Sequence, residues 1–148
     1  MRPVRQPSLP SRRGAAAVEM AIVLPVFFMV VMGIVEFGRA MMVGQLVTNG
    51  ARYGARIAAF DGSTNTDVST SVKAFVANTV GVAASDVNVD IVVDPGPGNP
   101  DPADNLSAAL AKDVCKVTVR VRFDKVGYLA GRYLSAAELK GTCVMRHE

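Results

Sequence analysis

The chain has 148 residues, of which 50% are hydrophobic and 20% are charged, and its formal net charge is +3 at pH 7. This length leaves room for at most one soluble domain beside a membrane segment. Four of the arginines lie within the first 14 residues, so the positive charge does not indicate a nucleic-acid-binding surface, and we expect no nucleic acid among the partners.

Residues 1–14 form a basic leader. Prolines interrupt it and it shows no hydrophobic periodicity, so we expect no regular structure there. Its basic residues all precede the first acidic residue of the chain, Glu19, and they are Arg2, Arg5, Arg12 and Arg13. The positive-inside rule then predicts that the N-terminus stays in the cytoplasm and that the C-terminal part is exported.

An apolar segment of membrane-spanning length follows the leader. Apart from Glu19, every residue from Ala15 to Val35 is apolar, glycine or proline. As a helix rising about 1.5 Å per residue, this segment can cross a hydrocarbon core of about 30 Å. Because a charge inside such a segment costs roughly 2.5 to 3.5 kcal/mol on insertion scales, we interpret Glu19 as a functional residue.

The helical pattern continues to about residue 60. We predict one helix over residues 15–60 that becomes amphipathic after Val35, bends at Pro25 and ends at Asp61. Small residues recur four apart in its second half, at Ala40, Gly44, Gly50, Ala51, Gly54 and Ala55. Such spacing lets helix backbones approach closely, although it also arises by chance in a chain rich in alanine and glycine.

Residues 61–148 predict a small exported α+β domain with one helix and about three antiparallel strands. The helix is expected to end around Gly81, with Thr66 or Asp67 as its N-cap. Its apolar face is expected to consist of Val68, Val72, Phe75, Val76 and Thr79.

Two segments alternate between apolar and other residues, which is typical of half-buried strands: residues 86–93 and residues 114–123. Between them we predict a loop rich in proline and glycine over residues 94–102, followed by a short helix over residues 106–112. A third strand is expected over residues 139–146.

The two cysteines lie on predicted strands. Cys115 is on the apolar face of the second strand, and Cys143 is on the third. In an exported compartment this placement favours a disulfide, which contributes about 2 to 4 kcal/mol to the stability of a small domain. Two buried free thiols are the alternative.

The sequence offers little for catalysis. The single histidine, His147, is next to the last residue and is expected to be frayed. Asp94, Asp101 and Asp104 cluster in a loop, but without the spacing of an EF-hand, so we interpret them as solvated charges. We therefore expect a protein that is not an enzyme and that holds no metal or cofactor.

The spacing of Gly14 and Glu19 ahead of the apolar helix is similar to the class III signal of type IV prepilins. As a whole, residues 12–60 resemble the TadE-like family of minor pseudopilins, which belong to tight-adherence, or Flp-type IV, pilus systems. The resemblance implies a long pilin-like helix whose first half spans the bacterial inner membrane. It also implies roles in pilus assembly, adherence and biofilm formation.

The resemblance further implies that a prepilin peptidase cleaves between Gly14 and Ala15. Glycine suits such a site because a residue without a Cβ lets the backbone enter a narrow cleft. By the same resemblance, Glu19 pairs with the N-terminal amine of a neighbouring subunit. The implied partners are the peptidase, other pilins or pseudopilins, inner-membrane pilus assembly proteins and the lipid bilayer.

Three other interpretations fit the same residues. A secretory signal cleaved near Ala40 would release a soluble protein. An uncleaved segment would be a plain membrane anchor. A signal-anchored exported domain that binds a ligand or surface, outside any pilus, would leave Glu19 without a function.

Overall fold

The computed structural model describes residues 12–128 and 137–148, with side chains described from Gly14 onward. Most of the predicted leader therefore lies outside the described residues. The helices and strands are, in chain order, α1 Arg12–Ala58, α2 Asn65–Val80, β1 Val87–Asp94, β2 Val114–Arg122 and β3 Glu138–Arg146. The predicted α+β class, with a long N-terminal helix, a second helix and three antiparallel strands, is confirmed.

Helix α1 contributes to two compact units, which divide between Val35 and Glu36. In the first unit, large apolar side chains of α1 are exposed to solvent. In the globular unit, Glu36–Glu148, the second half of α1 supplies part of the core. The sequence analysis divided the chain at residue 61, where the helical pattern ends, and this division into domains stays a prediction.

Strand β2 is the centre of the antiparallel sheet, whose order is β1-β2-β3. Val119 faces Val89 on one side and Gly141 on the other. The alternation seen in the sequence places one set of β2 side chains in the core, and these are Cys115, Val117, Val119 and Val121. The opposite face of the sheet carries charged side chains, among them Arg120, which forms an ion pair with Asp90 at 3.0 Å.

The two helices supply the remaining core residues. Buried side chains recur at helical spacing on each of them: Val43, Val47, Ala51, Ala55 and Ala58 on α1, and Val68, Val72, Val76 and Val80 on α2. Each fully buried valine contributes roughly 1.5 to 3 kcal/mol through removal of apolar surface from water. The second half of α1 is therefore as much a part of this core as α2 is.

The start of α2 differs from the prediction, whereas its end at Gly81 agrees with it. Thr64 is the N-cap, and its hydroxyl accepts a hydrogen bond from the backbone N–H of Asp67, so the prediction of Thr66 or Asp67 as the cap is wrong. Gly81 ends the helix with φ of +82°, a conformation that glycine adopts without strain. The buried face includes Val80 and leaves out the predicted Phe75 and Thr79, which are exposed, because Val80 continues the four-residue spacing.

The connection between β1 and β2 contains less helix than predicted. Only one 3₁₀ turn forms, at Leu106–Ala108, instead of a helix over residues 106–112. Its Leu106 side chain is buried in the core. Lys112 has φ of +80°, which a helix does not allow, and this backbone turn leads directly into the buried Asp113.

Two glycines of the globular unit differ sharply in the space around them. A Cβ added to Gly141 would lie 2.6 Å from the Cα of Thr48, because β3 runs directly against the backbone of α1 there. A Cβ added to Gly44 would meet nothing within 4 Å. Gly141 therefore permits a helix–strand contact that a larger residue excludes.

We expect Gly141→Ala to lower the free energy of unfolding by about 1 to 3 kcal/mol, the usual cost of overpacking, because the backbone of α1 would have to move. The matched control, Gly44→Ala, should raise it by about 0.5 to 1 kcal/mol through helix propensity. Thermal unfolding of the full chain in detergent micelles measures both. Equal stability of Gly141→Ala and the wild type would contradict the close approach.

Candidate functional site

The residues of the predicted processing site lie at the start of α1. Gly14 is helical, and a Cβ built on it would meet nothing within 4 Å. Ala15 and Glu19 are both exposed, and their spacing of four residues places them on the same face of the helix, about one turn apart. Within the described ranges, Glu19 makes no hydrogen bond or ion pair. Its carboxylate is thus presented on an uncovered apolar helix.

This part of α1 is long and apolar enough to cross a membrane. Its most apolar 18-residue window has a mean hydropathy of 2.5, and none of that window is buried within the described structure. The helix carries Pro25 in its interior. An exposed apolar helix of this kind is consistent with anchoring in a bilayer, where the lipid would cover the surface that the chain leaves open.

Residues 14–56 match the family model described as TadE-like protein. The match begins at Gly14, includes Glu19 and covers most of α1, so the resemblance predicted from these residues is confirmed. The TadE-like family suggests involvement in tight-adherence pilus systems. No curated protein and no solved structure matches the chain.

The small residues of the TadE-like segment, residues 14–56, pack mostly within the same chain. Gly50, Ala51, Gly54 and Ala55 are buried, Ala40 is half-buried, and Gly44 faces open space. A Cβ on Gly50 would collide with Val76 of α2, and one on Gly54 would lie 2.6 Å from Val72 and 3.0 Å from Val117. These glycines bring α1 close to α2 and to β2, while packing between chains stays a prediction.

Two charged residues of α1, Glu36 and Arg39, hold the segment that follows β2. Glu36 is only 8% exposed and accepts a hydrogen bond of 3.1 Å from the N–H of Tyr128. Arg39 donates to the carbonyls of Val126, at 3.3 Å, and Val80, at 3.4 Å, and its guanidinium lies 5.6 Å from the centre of the Tyr128 ring. The sequence showed these two residues only as polar positions of an amphipathic helix. The available signal was that they are the first charged residues after a long apolar run.

His147 is part of a buried cluster at the other end of the globular unit. It is 3% exposed, and its N–H donates to the carbonyl of Asp113 at 2.8 Å. Its Nδ1 lies 3.1 Å from the carbonyl oxygen of Ala58, which can only accept, so Nδ1 carries the proton. The expectation that this histidine is frayed is wrong, because backbone pairing beyond β3 fixes it against the end of α1.

Asp113 supplies the carboxylate of this cluster. It is fully buried and accepts hydrogen bonds from Asn99 Nδ2 at 2.6 Å, from the N–H of Gly96 at 2.7 Å and from the N–H of Leu110 at 2.8 Å. These bonds, with a smaller contribution from the charge of His147, hold the pKa of Asp113 below its usual value although burial opposes the shift. The carboxylate therefore ties the ends of the loop between β1 and β2 together.

Cys115 lies beside this cluster, with its Sγ 4.0 Å from Nδ1 of His147. Burial, and next the charge of Asp113, raise the pKa of the Cys115 thiol, which keeps it protonated. Nucleophilic chemistry needs a thiolate that a substrate can reach, and neither condition is met. The contacts favour a structural role. Across residues 12–128 and 137–148, no group of three or more His, Cys, Asp or Glu side chains is placed to hold a metal ion.

The predicted disulfide is not formed, and both cysteines are free. Cys143 faces Val117 across the β2–β3 pair, and Cys115 faces Met145. The cysteines are therefore diagonal neighbours, whose Cα atoms are typically about 7 to 8 Å apart, beyond the usual disulfide range of about 4.4 to 6.8 Å. The sequence predicted both strands but could not predict their register.

We expect Asp113→Asn to lower the thermal midpoint at pH 7. Since the folded state lowers the pKa of Asp113, its carboxylate stabilises the fold fully above the unfolded pKa of about 3.9, and this contribution is lost as the pH falls through the lower folded value. The difference between wild type and variant should therefore shrink as the solution becomes strongly acidic. Circular dichroism melts of the full chain in micelles across this pH range measure it.

The matched control for this experiment is Asp94→Asn, which removes an exposed carboxylate at the end of β1. We expect that variant to follow the wild-type profile. If Asp113→Asn also followed the wild-type profile, the hydrogen bonds to Asp113 would not make the stability of the fold sensitive to acid.

Proposed function

We propose that this chain is a minor pseudopilin of a tight-adherence pilus assembly system, which a prepilin peptidase processes after Gly14. The observation that carries the proposal is the TadE-like match, which begins at Gly14 and includes Glu19. Two further features support it. The leader is basic, and Glu19 is the only charge in the apolar stretch from Ala15 to Val35.

In this proposal the leader stays in the cytoplasm and the globular unit is exported. The basic residues before the apolar segment favour that orientation by the positive-inside rule. The lipid bilayer of a bacterial inner membrane then covers the exposed side chains of α1 up to Val35. The globular unit acts as a structural or interaction module rather than as an enzyme, in line with the buried, protonated thiol of Cys115.

Processing would create a new charge next to Glu19. Cleavage after Gly14 frees the amine of Ala15, which lies one helical turn from Glu19 and on the same face. A carboxylate in lipid is stable only when it is paired, so the Ala15 amine of a neighbouring pilin or pseudopilin is a fitting partner. Pairing between subunits would fix how far one helix is shifted along the next.

We expect cleavage to depend on Gly14. When the chain is produced with a prepilin peptidase, the mature protein should begin at Ala15, and Gly14→Leu should stay full length because its side chain blocks entry to the cleavage site. Intact mass and N-terminal sequencing measure both. The matched control is Gly33→Leu, at another glycine of α1 with open space around it, which should be cleaved normally.

A full-length wild-type chain in the presence of the peptidase would contradict processing and favour the alternative, a signal-anchored exported binding domain outside any pilus. A mature protein that begins near Met41 would instead indicate an ordinary secretory signal.

We expect Glu19→Gln to separate processing from assembly. The variant keeps Gly14, so it should be cleaved like the wild type, but it lacks the charge that pairs with a neighbouring amine. Cross-linking of membranes that contain the whole pilus system should then recover fewer adducts with other pilins. Met20→Leu, a neutral change at the next residue, serves as the control. Unchanged adducts for Glu19→Gln would contradict the pairing and favour an incidental glutamate.

A further inference from the structure

A polar groove of about 430 Å³ lies between α2 and the free edge of β1. Its α2 wall carries the hydroxyl groups of Thr66, Ser69 and Thr70, followed by Lys73. The opposite wall is β1 at Val89 and Ile91. The groove lies in the globular unit, and its residues are outside the TadE-like segment.

The strand edge in this groove has unpaired backbone groups. In an antiparallel strand, the N–H and C=O of alternate residues point to the same side. The N–H of Val93 donates to Oδ1 of Asp104 at 2.9 Å, so the backbone N–H and C=O groups of Val93 point away from β2. By the same alternation, the backbone groups of Ile91 and Val89 also point away from β2. In the described parts of the chain, the N–H and C=O groups of Val89 and Ile91 have no hydrogen-bond partner. Such an edge is a template for another strand.

One end of the groove is closed by hydrogen bonds within the chain. The side chain of Asp104 accepts a hydrogen bond from the N–H of Val93, and the backbone carbonyl of Asp104 accepts one from Asn65 Nδ2 at 2.7 Å. Asn65 Oδ1 in turn accepts from the N–H of Leu106 at 2.8 Å. A strand added here can therefore pair with Val89 and Ile91, but it cannot extend past Val93 at the C-terminal end of β1. The added strand is thus a short one.

The charge of the groove indicates the chemistry of its occupant. Among the described residues, Lys73 is the only charged one that lines it, and it forms no ion pair with any of them. Along an added strand, alternate side chains would face α2 and so meet its hydroxyl groups and Lys73. A carboxylate at one of these positions would pair with the ammonium group, while large apolar side chains there would meet the hydroxyl groups of α2.

We propose that this groove binds an extended peptide segment of a partner protein, which adds a short strand to β1 and places a carboxylate against Lys73. Val89 and Ile91 supply two N–H donors and two C=O acceptors for the backbone of the segment. The hydroxyl groups of α2 bind its polar side chains. The volume admits a few residues of extended chain but not a helix, which is about 10 Å across with its side chains.

Nuclear magnetic resonance of the full chain in micelles tests this proposal with a library of seven-residue peptides. The peptides alternate Thr and Val, and each α2-facing position carries Glu, Lys or Thr. We expect Glu peptides to shift the amide signals of Val89 and Ile91 and to bind at least about tenfold more tightly than their Lys counterparts. Lys73→Gln should abolish this preference, whereas Lys140→Gln, at an exposed lysine of β3, should keep it.

A second peptide series separates strand addition from simple anion binding. N-methylation of alternate backbone nitrogens removes the donors that face β1 and should abolish binding. Equal binding of the methylated and unmethylated peptides, or displacement of the peptide by acetate alone, would overturn the proposal in favour of a site for free anions.

Two further outcomes would also overturn it. One is that no peptide of the library, at millimolar concentration, shifts the amides of Val89 and Ile91. The other is that these amides become protected as the concentration of the protein alone rises, which would assign the edge to a second copy. Neither outcome depends on cleavage after Gly14, so this test and the processing test fail independently.

Discussion

The close approach of α1 to the rest of the globular unit is the constraint on which the fold depends. At Gly141 the backbone of β3 leaves no room for a Cβ beside Thr48, and at Gly50 and Gly54 the side chains of α2 and β2 occupy the space that a larger residue would need. One helix thus forms an exposed apolar segment and then one wall of a core. A fragment that begins at residue 61 would expose the apolar surfaces of α2 and the sheet that α1 covers, and such surfaces favour aggregation.

The elements of the fold could be predicted from the sequence because their signals are local. The run of apolar residues up to Val35 predicted a membrane-length helix, and strict alternation predicted β2. The register of β2 and β3 could not be predicted, since it depends on contacts between distant residues. For that reason the distance between Cys115 and Cys143 could not be predicted either. The expectation of a frayed His147 failed for the same reason: its partners, Asp113 and Ala58, are remote in sequence.

Only those parts of the candidate site that have a local signal in the sequence could be predicted. Gly14 and Glu19 stand out because their spacing and the lack of other charges nearby are visible in a few residues. Glu36 and Arg39 do not stand out, because what distinguishes them is their hydrogen bonds to the N–H of Tyr128 and to the carbonyls of Val126 and Val80. Hydrogen bonds in a buried, low-dielectric setting are strong, and losing one partner is costly, so such residues matter more than their polarity in the sequence indicates. Helical periodicity alone does not separate them from exposed polar residues such as Gln45 and Asn49.

The contact between His147 and the end of α1 has a consequence for the order in which the chain becomes structured. The carbonyl of Ala58 and the ring of His147 are 89 residues apart, and the N–H of Glu148 also donates to the carbonyl of Ala59. At a synthesis rate of roughly 5 to 20 residues per second, the ribosome needs about 5 to 20 seconds to make the intervening chain. Until β3 has been made, the valines of α1 have no complete sheet to cover them. The apolar face of α1 is therefore still uncovered in the nascent chain, and factors that shield apolar helices can bind it in that interval.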